Sequence, residues 1–232
     1  MGLLVFTGAG VSAESGLRTF RDSDGMWEEY SVFDVATPEA WDENPELVHE
    51  FYNMRRDQLV KAKPNPAHHY IAGLADKIPV TVVTQNVDDL HERAGSKGVL
   101  HLHGELMKSR CEKHPEEIFA LSLKKLALSI KSKAPCGHRL RPHVVWFGEA
   151  VPAYEEAVAL AQQASAMLVI GTSLGVYPAA GLLSELPAHA PLAYLDPGPL
   201  PTHARKDIFH IQKKATRGLE QVEDWLKVSG LI

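Results

Sequence analysis

The sequence of 232 residues is poor in cysteine and contains no long apolar run. Its two cysteines, Cys111 and Cys136, are too few for a disulfide scaffold and fit a reducing cytosol, where a cysteine pair is more often a metal or redox feature. No apolar stretch approaches the roughly 20 residues that span a bilayer, and no apolar segment with a cleavage site follows a charged N-terminus. We therefore expect a soluble, cytoplasmic protein without a membrane partner.

Concentrated charge of one sign is also lacking. The sequence has 29 acidic and 24 basic residues, which leaves a net charge of −5, and it contains no run of like charge. This balance leaves no excess of basic residues with which to bind the phosphates of a nucleic acid, so a nucleic-acid partner is not expected. With 45% hydrophobic residues, the length is sufficient for one large domain with a buried core, or for one domain that carries a smaller insertion.

Five short apolar runs alternate with helical patterns along the chain. The runs cover residues 2–7, 80–84, 166–170, 191–195 and 208–211, and the helical patterns cover residues 87–94, 153–165, 179–186 and 216–228. Apolar runs bounded by turn signals are typical of buried parallel strands. The alternation predicts an α/β fold with a Rossmann-like, doubly wound parallel sheet.

Two segments break this alternation, residues 22–76 and residues 107–141. A compact nucleotide-binding sheet rarely needs about 30 to 50 residues between consecutive elements, so both segments look like insertions. We therefore expect one domain over residues 1–232, in which residues 1–21, 77–106 and 142–232 form the sheet lobe and the two segments form a smaller inserted lobe. The cleft between the lobes is the expected binding site.

A glycine-containing turn follows the first predicted strand, in the motif GAGVSAESGLRTFRD at residues 8–22. The spacing Gly8-x-Gly10-x-x-Ala13 at a strand-to-helix turn can cradle a pyrophosphate, but an ordinary tight turn explains these residues alone equally well. A dehydrogenase also needs an acidic residue at the end of a second strand about 20 residues further on, where it binds a ribose. The next strand begins only near Val80, so hydride transfer is disfavoured.

Polar residues cluster after the apolar run at residues 80–84. The motif TQNVDDLHERAG at residues 84–95 places Gln85, Asn86 and Asp88 where open α/β sheets bind ligands, and these side chains can bind ribose hydroxyls or a carboxamide. A helix N-cap is the alternative, which suits Asp88 but explains three polar groups poorly. His103, in the motif HLHG, could serve as a general base, although a lone histidine among 12 is more often an ordinary core or surface residue.

Five motifs in this order make the sequence similar to the sirtuins, the NAD-dependent protein deacylases. They are GAGVSAESGLRTFRD, TQNVDDLHERAG, the LHG at residues 102–104, LRPHVVWFGE at residues 140–149 and GTSLGVYPAA at residues 171–180. The resemblance spans nearly the whole chain and is greatest to the bacterial-type class that also includes the mitochondrial desuccinylases. It implies a single sirtuin catalytic domain whose small lobe has a helical part and a zinc-ribbon-like part.

The resemblance implies NAD as a consumed co-substrate and assigns most of the site. Cofactor-binding residues would be Gly8, Ala9, Gly10, Ser12, Phe20, Arg21, Trp27, Gln85, Asn86, Val87, Asp88, Gly171, Thr172, Ser173, Asp196 and Ala215. Asn86 and His103 would be catalytic: the acyl oxygen attacks C1′ of the nicotinamide ribose, nicotinamide leaves, and His103 deprotonates a ribose hydroxyl. The products would be free lysine, nicotinamide and O-acyl-ADP-ribose. Asp196 stands where the family has Asn, and an aspartate there is consistent with NAD rather than NADP.

The residues that would select the acyl group are Tyr52 and Arg55, which lie three positions apart in a helical pattern and therefore on one face. A phenol beside a guanidinium can bind a carboxylate, whereas the ordinary alternative is a surface arginine beside a half-buried tyrosine. The spacing resembles the signature of sirtuins that remove succinyl, malonyl or glutaryl groups. The residues expected to line the acyl-lysine channel are Val144, Val145, Trp146 and Phe147. We expect acyl-lysine proteins or peptides as partners, desuccinylation and demalonylation as the preferred activity, and deacetylation as a weaker or parallel one.

The zinc site that the resemblance implies departs from the family pattern of two Cys-x-x-Cys pairs. Cys111 and Cys136 match the first and fourth ligands, but His114 occupies the second position and Lys133 the third. His138 lies close enough in sequence to substitute. A site of Cys111, His114, Cys136 and His138 is chemically acceptable, and a lobe that has lost its metal and is held by packing is an equal alternative.

Two other functions fit the same cofactor residues. A mono-ADP-ribosyltransferase would use NAD without acyl turnover, and a non-catalytic module would bind NAD without releasing nicotinamide. Retention of Asn86, Asp88 and His103 argues against the module. The sequence leaves the oligomeric state open and is compatible with a monomer.

Overall fold

The computed structural model describes residues 2–17, 26–27, 30–200, 205 and 207–232. The strands in this part of the chain are β1 (Leu3–Thr7), β2 (Met26–Trp27), β3 (Tyr30–Ser31), β4 (Val80–Thr84), β5 (Leu100–His101), β6 (Gly104–Cys111), β7 (Ile118–Ala120), β8 (Leu140–Val144), β9 (Ala166–Ile170), β10 (Leu192–Leu195) and β11 (Phe209–Ile211). The α-helices are α1 (Gly10–Ala13), α2 (Val32–Val35), α3 (Pro38–Glu43), α4 (Pro45–Lys61), α5 (Pro66–Leu74), α6 (Leu90–Ala94), α7 (Tyr154–Gln163), α8 (Leu182–Glu185) and α9 (Leu219–Val228). Short 3-10 helices cover Ala179–Gly181 and Ala215–Arg217.

Six parallel strands form the main sheet, in the order β11-β10-β9-β1-β4-β5. After β1, the chain adds β4 and β5 on one side of this strand and then β9, β10 and β11 on its other side, so the direction of strand addition reverses at β1. Thr7 at the end of β1 lies opposite Thr84 and Ile170, so the carboxyl ends of three strands meet at one edge. Open α/β sheets bind ligands at the carboxyl ends of their strands, at the point where the direction of strand addition reverses.

Helices cover both faces of this sheet because its central strands are apolar on both sides. In β1, Leu3 and Val5 pack in one cluster with α5 and α9, whereas Leu4 and Phe6 pack in a second cluster with α7. Every residue of β1 and of β9 is buried. The predicted α/β fold with a doubly wound parallel sheet is therefore confirmed.

The predicted apolar runs all contain strands, although Gly2, Pro191 and Ile208 lie just outside them. The helix predicted at residues 87–94 begins only at Leu90, whose backbone amide donates a hydrogen bond to the Asp88 carboxylate. None of the described helices has both the length and the apolar character that crossing a membrane would require.

A separate core joins α2, α3 and α4 to an antiparallel sheet of order β7-β6-β8. Its large side chains are Trp41, Phe51, Tyr52, Leu106 and Trp146. Helix α4 starts after Asn44, whose side chain caps the Leu47 amide, and Pro45 occupies the first helical position. Helix α5 instead packs on the parallel sheet, although it lies within residues 22–76. The division of the chain into two lobes stays a prediction.

Candidate functional site

A cavity of about 250 Å³ lies at the carboxyl ends of β1 and β4, where it also meets α4 and the end of β8. The predicted site residues that line it are Ala9, Ser12, Tyr52, Arg55, Gln85, Asn86, Val87, Asp88, His103, Val144, Val145, Trp146 and Phe147. The structure thus brings predicted cofactor, catalytic and substrate residues from distant parts of the sequence to one cavity. The sequence motifs did not indicate several other lining residues, among them Met54, Gln58, Val176 and Tyr177. The helical spacing from Arg55 to Gln58 is a signal that could have identified Gln58.

Glycines allow the ends of β1 and β9 to approach closely. The Gly8 amide donates to the Ile170 carbonyl at 3.0 Å, and the Gly10 amide donates to the Gly171 carbonyl at 2.8 Å. A Cβ atom on Gly8 would lie 2.6 Å from the Thr172 Cβ, and one on Gly10 would lie 2.7 Å from the Gly171 Cα. The glycines of the first motif therefore fix the turn against the β9 end, which shapes this side of the cavity.

The Ser12 hydroxyl is the centre of a buried hydrogen-bond cluster. It donates to Asp88 Oδ2 at 3.0 Å, accepts from Asn86 Nδ2 at 3.1 Å and lies 3.3 Å from His68 Nε2. Because the Asn65 amide donates to His68 Nδ1, the proton of the neutral His68 ring is on Nε2 and points at Ser12. Burial, together with the nearby His91 and His69, lowers the pKa of His68 to about 3, so this ring stays neutral.

Asp88 is held in this cluster as a buried carboxyl group. Burial raises its pKa, against the effect of hydrogen bonds from the Leu90 amide and from Ser12. Asp88 therefore has one oxygen fixed by the start of α6 and the other by Ser12. The cluster orients Asn86, whose side chain lines the cavity, so Ser12, Asn86 and Asp88 present fixed polar groups at the strand ends.

His103 has the geometry of a general base. Its Nδ1 lies 2.9 Å from the Gln85 carbonyl oxygen, which can only accept, so Nδ1 carries the proton and Nε2 keeps its lone pair. Burial lowers the pKa of His103, and the Gln85 hydrogen bond opposes this only in part. The ring is therefore neutral at pH 7. The Gln85 side chain donates to Thr172 Oγ1 at 3.1 Å and so links this group to the end of β9.

His101, to which the sequence motifs assign no role, is held in the opposite protonation state. Its Nδ1 faces the Asn86 carbonyl at 2.8 Å and its Nε2 faces a Glu92 carboxylate oxygen at 2.7 Å. Burial alone would lower the pKa of His101, but the hydrogen bond and charge of Glu92 outweigh it and raise the pKa. Both ring nitrogens thus face acceptors, and the imidazolium ties Asn86 to α6.

The other end of the cavity contains Tyr52 and Arg55, one turn apart on α4. Tyr52 is fully buried and accepts a hydrogen bond from Trp146 Nε1 at 3.0 Å. Burial raises the pKa of Tyr52, although the positive charges of Arg55, Arg141 and Arg56 and the Trp146 hydrogen bond act in the opposite direction. Tyr52 is therefore a neutral phenol in positively charged surroundings.

Several predicted cofactor residues do not line this cavity. Asp196 is buried and accepts a hydrogen bond from the Gly198 amide at 2.8 Å, and Ala215 packs in the core beside Val11. Ser173 is exposed. Phe20 and Arg21 lie outside the described residues, as does the side chain of Trp27. The roles assigned to these residues stay predictions.

The predicted metal ligands come together in part. Cys111, Cys136 and His138 offer donor atoms that all lie within 4.8 Å of one another, and the two sulfur atoms are 3.4 Å apart. His114 is not in this group, although its ring centroid lies 5.8 Å from that of His138. Two thiolates and one imidazole are suitable zinc ligands, so the donor set fits three positions of a tetrahedral site.

The fold and this cavity define an α/β protein with a polar cavity at the strand ends and a buried, neutral histidine, His103, in the cavity lining. Residues 8–178 match the Sir2 family. An "NAD-dependent protein deacylase" of Bacteroides thetaiotaomicron is 49% identical over 227 residues, which cover 97% of both chains. The chain therefore belongs to the Sir2 family, and the predicted membership of the sirtuins is confirmed.

Solved structures agree with this assignment. A Sir2 homologue in complex with NAD superimposes with a TM-score of 0.85 at 38% identity, covering 97% of this chain and 90% of the other. A mutant Sir2 homologue in complex with ADP-ribose superimposes with a TM-score of 0.87 at 37% identity, covering 99% of this chain and 94% of the other. The similarity thus extends over nearly the entire fold.

Proposed function

We propose that this Sir2-family chain is an NAD-dependent protein-lysine deacylase that removes succinyl and malonyl groups in preference to acetyl. The observation that carries the acyl preference is the placement of Tyr52 and Arg55 together on the cavity that His103 also lines. The class of enzyme rests on family membership and on the deacylase name of the Bacteroides relative. Proteins or peptides that carry acyl-lysine are the proposed partners.

NAD fits the polar end of the cavity. Ser12, Asn86 and Asp88 form a fixed set of donors and acceptors suited to ribose hydroxyls and a carboxamide. When bound, NAD would supply an activated glycosidic bond, at which the acyl oxygen would replace nicotinamide on C1′ of the ribose. His103 Nε2 then accepts a proton from a ribose hydroxyl, because Nδ1 is already protonated against the Gln85 carbonyl. The network around Ser12 keeps these groups in place without reorganisation.

The charge distribution at the other end favours an anionic acyl group. Arg55, Arg56 and Arg141 all act electrostatically on Tyr52, and Glu149 is already bound by Arg141 at 2.7 Å and by Arg110 at 3.2 Å. A succinyl or malonyl carboxylate would therefore enter a region of positive potential. An acetyl group carries no charge and gains nothing from it.

The acyl preference is tested with peptides of one sequence that carry succinyl-, malonyl- or acetyl-lysine. In the variant with Tyr52→Phe and Arg55→Met, we expect the succinyl-to-acetyl ratio of kcat/KM to fall at least about 10-fold, since a charge-assisted hydrogen bond contributes roughly 1.5 to 3 kcal/mol. Tyr70→Phe is the matched control, because Tyr70 bonds Glu223 and does not line the cavity. An unchanged ratio in the double variant would contradict the proposed preference.

The same assay separates deacylation from the other uses of the cofactor site. A deacylase forms O-acyl-ADP-ribose in amounts equal to the nicotinamide released. A mono-ADP-ribosyltransferase would instead attach label from NAD to protein, and a non-catalytic module would release no nicotinamide. Deacylation is proposed because Tyr52 and Arg55 share the cavity with His103, which ADP-ribosyl transfer to protein does not require.

For the metal we propose a zinc ion held by Cys111, Cys136 and His138. Its role would be structural, because Cys111 ends β6 whereas Cys136 and His138 lie in the segment that leads into β8. A zinc ion bound there would connect these two parts of the antiparallel sheet.

A further inference from the structure

A buried contact between Trp146 and Tyr52 fixes the hydrogen-bonding role of the Tyr52 hydroxyl. The Trp146 indole nitrogen lies 3.0 Å from the Tyr52 oxygen, and the two residues are 2% and 0% exposed. An indole N–H can only donate, so the Tyr52 oxygen must accept here. Among the described residues, Trp146 is the hydrogen-bond partner that the structure gives this hydroxyl. Its single proton is therefore available to another acceptor.

Trp146 is itself held by charged groups from its own motif and from β6. The Arg141 guanidinium carbon lies 3.3 Å from the Trp146 ring centroid. Glu149 accepts from Arg141 at 2.7 and 3.0 Å and from the Trp146 backbone amide at 2.8 Å. Arg110 reaches the same carboxylate at 3.2 Å. The indole is thus fixed in direction by a cation–π contact and by hydrogen bonds that do not include Tyr52.

We infer that Trp146 is a positioning residue for acyl specificity: by donating to the Tyr52 oxygen, it directs the Tyr52 proton into the cavity beside Arg55. An acyl carboxylate would then receive one hydrogen bond from Tyr52 in addition to the charge of Arg55. This inference rests on the proposed preference for acidic acyl groups. An acetyl group has no carboxylate to accept the bond, so the effect falls on succinyl and malonyl substrates.

The sequence places this network within one motif. In LRPHVVWFGE, Arg141 and Glu149 flank Trp146, and their mutual ion pair closes the loop that carries the indole. Tyr52 comes from α4, 94 residues away along the chain. The motif at residues 140–149 therefore acts on the acyl pocket through Tyr52 as well as through its own lining residues.

The test compares the succinyl-to-acetyl ratio of kcat/KM in wild type, Trp146→Phe, Tyr52→Phe and the variant with both changes. We expect Trp146→Phe to lower the ratio at least about five-fold, mainly through the KM of the succinyl peptide, because a hydrogen-bond donor to Tyr52 is lost. The double variant should have the ratio of Tyr52→Phe alone, since the indole acts through the phenol. Trp41→Phe, another buried indole that bonds Glu112 and does not line the cavity, should keep the wild-type ratio.

An analogue guards against a folding defect in Trp146→Phe. Replacing Trp146 with β-(3-benzothienyl)alanine substitutes sulfur for the N–H at nearly constant shape, and it should lower the ratio as Trp146→Phe does. If Tyr52→Phe lowers the ratio but neither change at Trp146 does, or if both peptides lose activity equally, the inference fails and the proposed preference stands. If wild type shows no preference and Tyr52→Phe changes nothing, the proposed preference fails and this inference fails with it.

Discussion

At the residue scale, hydrogen-bond direction decides which histidine near the cavity can act as a base. His101 faces acceptors on both sides and is held as a cation, whereas His103 faces one acceptor and keeps a free lone pair on Nε2. His68 is neutral and uses both nitrogens within the Ser12 cluster. Of these three rings, His103 alone combines a neutral state, an open nitrogen and a place in the cavity lining.

His103→Tyr should abolish turnover, with a loss of at least about 100-fold in kcat, because the proton acceptor for the ribose hydroxyl is removed. NAD binding should remain measurable, because the Ser12, Asn86 and Asp88 cluster does not depend on His103. Deacylation of an acyl-lysine peptide and NAD binding by calorimetry are the two measurements. The exposed His69 gives the matched control, since His69→Tyr changes no cavity residue. An active His103→Tyr enzyme would show that another group is the base.

At the element scale, the site depends on how closely the ends of β1 and β9 approach. Gly171 has φ +64°, and a Cβ atom there would lie 2.3 Å from the Val11 amide nitrogen. That neighbour is backbone in α1 and cannot move without displacing the turn that carries Ser12. Both the left-handed conformation and the close contact therefore require glycine at this position.

Gly171→Ala should lower the free energy of unfolding by at least about 2 kcal/mol and weaken NAD binding, because backbone strain and a clash add together. Denaturant unfolding and calorimetry with NAD measure the two effects. Gly16→Ala separates them: Gly16 has φ +86° with nothing within 4 Å of the added Cβ, so it contributes strain without a clash. The explanation fails if the two variants lose the same stability and bind NAD equally well.

The elements of the parallel sheet could be predicted from the sequence because each central strand is an uninterrupted apolar run, as in LLVFT and AMLVI. The antiparallel sheet was not predicted strand by strand. β6 buries Leu106 and Ser109 in an irregular pattern, with a register shift between Gly104 and Ser109 that breaks the alternation expected of a half-buried strand. Its pairing with β8 joins residues that are 29 to 40 positions apart in the sequence, a distance that local patterns do not record.

For the candidate site, the sequence motifs name residues that share one cavity, but they do not give the hydrogen bonds of those residues. Gln85, Asn86 and His103 were identified from motifs, and they do share the cavity. Which nitrogen of His103 carries a proton depends on the Gln85 carbonyl, and the state of His101 depends on Glu92. Such contacts arise only when separate segments fold together, so a motif can name the residue but not its protonation state.

At the scale of the whole molecule, the cavity lies at the carboxyl ends of β1 and β4, beside the core that α2, α3 and α4 share with the antiparallel sheet. The chain carries a net charge of −5, yet Arg55, Arg56 and Arg141 surround Tyr52. Overall charge therefore gives no indication of which substrate charge the site favours. The antiparallel sheet supplies the end of β8 to this cavity, so we expect the stability of that sheet to affect the shape of the cavity.

Removal of zinc tests whether a bound metal stabilises the antiparallel sheet. We expect about one zinc per purified chain, since two cysteine sulfur atoms and an imidazole are grouped within 4.8 Å. We also expect a chelator to remove the metal and to lower Tm. His138→Ala and Cys136→Ser should lose zinc and show the lower Tm without chelator. His114→Ala is the matched control, because His114 lies outside the grouped donors and should keep both zinc and Tm. Elemental analysis of zinc and thermal unfolding provide the two measurements.

A zinc-free wild-type chain whose Tm does not respond to chelator would instead establish a lobe that is held by packing. Loss of zinc in His114→Ala would add His114 to the ligands.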